Sequence, residues 1–196
     1  MDYSYEAVRE RFLSEGALPF LKKPELPLPG SRVHFGGREA IPLVCQVTGA
    51  KKFSDIIYFM VYSLIKQEER DRFVIDMDTY GAANGSFCFG CAATCALQEM
   101  SGVLFGVKDT QEEFRERIRV ALGISYEEEN RIEWFFNSLR TLDKYSIPDP
   151  DVSPEMEVTT QMVNEFLKVP ALRTETWKLN IGEFVKLADK WSAEGY

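Results

Sequence analysis

The sequence predicts a mainly α fold: a single globular helical domain, residues 1–196, with two buried central helices and a small β-hairpin beside them. Three observations lead there. Cap residues followed by apolar positions at three- and four-residue spacing recur along the chain, which is the helical signature. The segment from Asp55 to Glu69 is apolar around most of its circumference, as a buried helix is. Hydrophobic residues make up 45% of the 196 and aromatics 13%, enough apolar surface to close a core around such helices.

Taken in order, Ser4 is placed to cap a first helix whose Tyr5, Val8 and Phe12 share a face and which Gly16 ends. Residues 17–30 carry Pro19, Pro24, Pro27 and Pro29 among Leu and Phe residues, the pattern of a proline-rich extended arm laid over apolar surface. Residues 31–43 read as the hairpin. Arg32 to Phe35 and Arg38 to Ile41 flank Gly36-Gly37, whose glycines supply the positive φ of a tight turn, and Pro42 puts the second strand at an edge. The body, 54–196, is then mostly helical. Ser54 caps the first central helix, Phe53 and Tyr58 are spaced as a hydrophobic staple, and Ile56, Ile57, Phe59, Met60, Val61, Leu64 and Ile65 fill it.

Phe73-Val74-Ile75 predicts a short strand, and Asp76 to Ser86 a loop rich in Asp, Gly and Asn. The second central helix is expected over Phe87 to Met100, closed by Ser101-Gly102. Beyond it, Thr110 with Glu113 and Ser125 with Glu128 are capping boxes for two helices, separated by Gly123. Ile147 to Pro150 is a connector, Ser153-Pro154 opens a further helix that stops before Pro170, and Asn180 with Glu183 caps the last.

The formal net charge is −8 and the isoelectric point about 4.9. A phosphate backbone recruits Lys and Arg, so an acidic chain is a poor general nucleic-acid binder, and an anionic membrane surface repels it. The most apolar run, Ile56 to Ile65, is shorter than the roughly 20 residues a membrane span needs. The chain opens Met-Asp-Tyr-Ser-Tyr-Glu, acidic where a secretory leader is basic. The expectation is a soluble cytoplasmic protein whose four cysteines are thiols.

The most unusual segment is Gly85 to Leu97. On a helix, Cys88, Cys91 and Cys95 fall at i, i+3 and i+7 and share a face. They are candidate ligands for a soft metal, with Cys45 or His34 as a fourth. Cys88 also stands at the expected helix N-terminus, where the dipole favours a thiolate. A loop, a cysteine and a helix of small residues together resemble the nucleophile region of papain-like cysteine peptidases. That resemblance implies Cys88 as nucleophile and His34 as its base. In that family the histidine follows the cysteine; here the sole histidine precedes it. The simpler explanation is packing: Cys, Gly, Ala and Thr let neighbouring helices approach closely.

Asp76-Met77-Asp78-Thr79, after an apolar triplet, resembles the opening motif of haloacid-dehalogenase-like phosphatases, which implies a carboxylate pair that holds magnesium. The family's threonine stands two residues after the second aspartate, whereas Thr79 follows Asp78 at once. Asp residues also simply open turns. Ala121 to Ser125, between two helices, resembles the turn of a helix-turn-helix, but the second helix begins Tyr126-Glu127-Glu128-Glu129, which repels DNA.

The function expected from these residues is a non-enzymatic protein-interaction or small-ligand-binding role. It takes a protein partner, a second copy or a small ligand, and the sequence requires no cofactor. The alternative is a cysteine- or metal-dependent enzyme centred on Cys88, Cys91 and Cys95. Cys88 and His34 are its candidate catalytic residues, and Asp76, Asp78 and Cys91 are candidate binding residues.

Overall fold

A computed structural model describes residues 1–14, 16, 18–21, 40–142 and 156–196. These form eight helices and one small sheet, a mainly α architecture. Of the proline-rich segment only 18–21 are described, with Leu18 buried. His34 and the rest of 31–39 lie outside the described residues.

Helix α1 (Tyr5–Leu13) starts where expected, with the Ser4 hydroxyl accepting from the Ala7 amide at 3.4 Å. Val8 and Phe12 are its buried face. Helix α2 (Ala40–Thr48) corrects the end of the expected hairpin, since residues 40–43 open a helix. Ala40, Ile41, Val44 and Val47 are buried at helical spacing, and Pro42 sits in the first turn, where its missing N–H has no partner to lose. Helix α3 (Phe53–Glu68) is the first central helix. Its start is set by Asp55, which accepts from the Lys51 and Lys52 amides at 2.9 and 3.1 Å. Ser54 is inside the helix, and its hydroxyl donates to the Tyr196 carbonyl.

The sheet comprises β1 (Phe73–Ile75), β2 (Ala82–Asn84) and β3 (Phe87–Gly90), in the order β1-β3-β2. β1 runs parallel to β3, pairing Phe73 with Cys88 and Ile75 with Gly90; β2 is antiparallel to β3, pairing Asn84 with Phe87. Gly85 turns this hairpin at φ +61°. Thus β1 is the strand expected, β2 lies within the expected loop, and residues 87–90 are strand where a helix was expected. The second central helix, α4 (Ala92–Ser101), starts only after Gly90. A side chain at Gly90 would lie 2.7 Å from Thr94 Cγ2 and 2.9 Å from the Phe73 ring, so the close approach of β3, α4 and β1 requires glycine there.

Helices α5 (Gln111–Leu122) and α6 (Tyr126–Thr141) carry both expected capping boxes, and Gly123 between them has φ +65°. Helix α7 (Thr160–Phe166) is capped by Thr159; the expected Ser153-Pro154 start lies outside the described residues. Helix α8 (Trp177–Glu194) begins three residues before Asn180, because buried Trp177 anchors its first turn. Asn180 instead donates from Nδ2 to the Ala171 carbonyl at 3.0 Å.

Helix α3 packs against α1, α4 and α8, and α4 packs against α3, α5 and α6. Trp191 and Phe166 stack at 6.2 Å beside Phe53. Among the described residues no helix is long and apolar enough to cross a membrane.

The two ends of the chain are joined through Asp189 on α8. Its carboxylate accepts from Arg11 Nη1 and Nη2 at 2.9 and 2.8 Å, from the Tyr58 hydroxyl at 2.7 Å and from the Tyr3 hydroxyl at 3.1 Å. Burial alone raises its pKa, but Arg11 and the tyrosines reverse that and hold it below the usual carboxylate range. A depressed folded pKa stabilises above the unfolded value and is lost as the pH falls through the folded one. Asp189→Asn should therefore lower the free energy of unfolding at neutral pH by about 2 kcal/mol. It should also reduce the loss of stability seen as the pH drops below about 4. Urea melts of both chains across pH check this.

Candidate functional site

Two of the candidate residues, Asp76 and Cys91, lie at one end of the sheet. Strands β1 and β3 are parallel, so the residues that follow them, Asp76 and Cys91, emerge on the same side, and the Asp76 amide donates to the Gly90 carbonyl at 3.1 Å. The C-terminal ends of parallel strands, beside a helix N-terminus, are where α/β folds place ligands.

The cysteines do not form the expected stripe. Cys88 is on β3, Cys91 is the N-cap of α4, and Cys95 is inside α4; all three are buried, and Cys45 is half-buried on α2. The cysteine at the helix N-terminus is thus Cys91 rather than Cys88. Burial pushes the Cys91 thiol up. The Thr94 and Ala93 amides and the more distant Arg140 charge oppose this without reversing it. Burial likewise pushes Cys88 up, and Cys95 well up. Among the described residues, no group of three or more His, Cys, Asp or Glu side chains is placed to hold a metal ion.

Asp76 and Asp78 separate in role. Asp76 Oδ1 accepts from the Asp78 amide at 3.0 Å and the Thr174 hydroxyl at 3.2 Å, and Oδ2 accepts from the Thr79 hydroxyl at 2.8 Å. Thr174 in turn accepts from the Met77 amide at 2.9 Å. Burial raises the Asp76 pKa, and these donors together with Arg140 bring it below the ordinary value. Asp76 is therefore an ionised turn organiser that ties the β1–β2 loop to the segment before α8. Asp78 points outward, its side chain 84% exposed.

Beside this loop lies a polar cleft of about 450 Å³, lined by Asp78, by Arg140 and Thr141 at the end of α6, and by Ala171, Arg173 and Glu175 before α8. Its floor is fixed by the Leu172 amide, which donates to the Arg140 carbonyl at 2.8 Å. Leu142 closes α6 in the left-handed region at φ +55°. The Arg140 side chain is 18% exposed, its Nε is buried without a hydrogen-bond partner, and its ion pair with Asp78 is long, 3.8 Å.

Arg115 and Arg119 on α5 are as deeply placed but have close carboxylates, although Arg115 Nε, like that of Arg140, makes no hydrogen bond. Glu129, wholly buried at the start of α6, accepts from the Tyr80 hydroxyl at 2.6 Å and pairs with Arg119 at 2.9 Å and Arg115 at 3.0 Å. Arg115 also meets Glu133 at 3.1 Å, and Arg119 meets Glu112 and Glu116 at 2.8 and 2.7 Å. Arg117 is held by Asp109. The arginines of the helix-turn-helix-like segment are thus held by carboxylates.

The sequence reading missed Arg140, Arg173, Glu175 and the Glu129 network. A cation in the last turn of α6 was visible, as was an acidic first turn, but neither announces a cleft assembled from distant segments. Comparison of the chain with protein-family models, with curated proteins and with solved structures finds no match in any of the three.

Two outcomes are expected. A disulfide reagent such as Ellman's should reach Cys45 first in the folded protein, and Cys88, Cys91 and Cys95 only at the rate of unfolding. Glu129→Gln, which leaves two buried guanidinium groups short of a counter-charge, should cost about 3 kcal/mol in a denaturant melt.

Proposed function

We propose that this chain is a non-enzymatic binding protein and that it binds through the polar cleft between the β1–β2 loop, the end of α6 and the segment before α8. The observation that carries this reading is the cleft's lining. Four charged residues from three separate parts of the chain, Asp78 at the rim with Arg140, Arg173 and Glu175, line one space of about 450 Å³, a volume in the range of small-molecule sites. Arg140 lies there withdrawn from water without the close carboxylates given to Arg115 and Arg119.

The condition of the thiols supports binding over the alternative of cysteine chemistry. A nucleophilic cysteine needs an accessible thiolate, and Cys88, Cys91 and Cys95 are buried with their thiols pushed up.

Native mass spectrometry of protein taken gently from its own host tests the reading. The expected result is a non-covalent mass excess that disappears on denaturation and that Ala171→Trp, which fills the cleft, removes. The same excess in the Ala171→Trp protein would move binding elsewhere. A bare monomer mass, combined with fast alkylation of Cys91, would favour the cysteine-enzyme alternative.

A further inference from the structure

We propose that the cleft takes a small zwitterion, a carboxylate with a nearby ammonium as in a free amino acid, with Arg140 anchoring the carboxylate. This deepens the binding reading above and rests on it.

The argument starts from what a guanidinium requires. It carries five N–H donors and one charge that does not titrate away, so burial must be matched by acceptors. Arg140 is poorly matched. Among the described residues no side-chain hydrogen bond from it is found, its Nε is orphaned, and the Asp78 oxygen opposite is 3.8 Å away on a side chain that is 84% exposed. Neighbouring Asp76 does not serve it directly, because both its oxygens accept from Thr79, Thr174 and the Asp78 amide. The carbonyl end of α6 favours a cation in that last turn, which explains why an arginine is tolerated there. It does not supply a planar acceptor.

Arg70 shows what the fold does with a structural guanidinium. It is also half-withdrawn, and it donates to Gln67 Oε1 at 2.9 Å, Gln98 Oε1 at 2.6 Å and the Phe105 carbonyl at 3.0 Å. Arg140 has no such set. The part of its guanidinium that stays accessible opens on the cleft, and a carboxylate is the acceptor that fits a guanidinium edge in two-point fashion.

The remaining lining selects among anions. Arg173 adds a second cation, while Asp78 and Glu175 bring two carboxylates to the same cleft. A multiply charged anion such as phosphate meets repulsion from those two. A ligand with one carboxylate and one ammonium satisfies both signs, the carboxylate at Arg140 and the ammonium towards Asp78 and Glu175. Discrimination here arises as much from the repelled competitor as from the favoured ligand.

The Arg140 Nε–H proton is the readout. It is buried and lacks a protein acceptor, so its nitrogen-15 correlated NMR signal reports how the guanidinium is engaged. Full-length protein is titrated with alanine, with acetate and with inorganic phosphate. Alanine is expected to shift that signal saturably, acetate more weakly, and phosphate least. Arg140→Gln should weaken alanine binding by about tenfold or more, read on amides of the 171–175 segment. Asp78→Asn with Glu175→Gln should bring alanine down to the level of acetate while leaving the fold unchanged, which keeps the test meaningful if Arg140→Gln unfolds. Phosphate binding as tight as alanine, or no saturable shift with any of the three, overturns the proposal. If that happens while Ala171→Trp still strips a native mass excess, the cleft binds by other means and only the zwitterion assignment fails.

Discussion

Ile56, Ile57, Met60, Val61, Leu64 and Ile65 are each withdrawn from solvent to the last few ångström squared, which leaves α3 no apolar side it can show to water. Burying such side chains is the largest favourable term available to the chain, at about 25 cal/mol per Å² of apolar surface. Other elements must therefore surround α3, and they come from every part of the sequence: α1 from the beginning, α4 from the middle, α8 from the end. The positions of these helices follow from covering one central rod.

Covering it closely has a further requirement. Helix α4 is squeezed between α3, α5 and α6, and it meets this with Ala92, Ala93, Cys95 and Ala96, small residues with no exposed surface. Gly90 extends the same constraint into the strand before it. The small residues that gave the Gly85–Leu97 segment its chemical look are thus explained by interhelical distance. Because α6 packs on α4, its last turn comes to rest beside the end of the sheet, and Arg140 stands next to the β1–β2 loop. The cleft arises where three differently constrained pieces meet without filling the space.

The local features of this fold were legible in the sequence to the degree that they depend on near neighbours. The Thr110–Glu113 and Ser125–Glu128 boxes are three-residue relations, and both are present with the expected partners. The apolar circumference of α3 and the strand Phe73 to Ile75 were equally readable. What failed was decided by distant partners. Phe87 to Gly90 has helix-compatible residues, yet it is a strand because β1 pairs with it and takes its hydrogen bonds. Ala40 to Leu43 follows a Gly-Gly pair as the end of a hairpin would, yet its apolar residues open a buried helix. The candidate site followed the same rule. Asp78 could be named because it sits in a conspicuous loop, and Arg140 and Arg173 could not, since nothing nearby in the chain marks them.

The join between α8 and the segment around α1 has a consequence for folding. Tyr3 lies so close over α8 that a side chain at Gly182 would come within 2.0 Å of its carbonyl, and Asp189 gathers Tyr3, Arg11 and Tyr58 into one cluster. Helix α1 and the α8 surface it packs on are far apart in the sequence. Until α8 docks, α1 and α3 lack one of their covering partners, and the loop to be closed is long. Docking of α8 is accordingly a late step of folding, and loosening it would uncover α1 and α3 together.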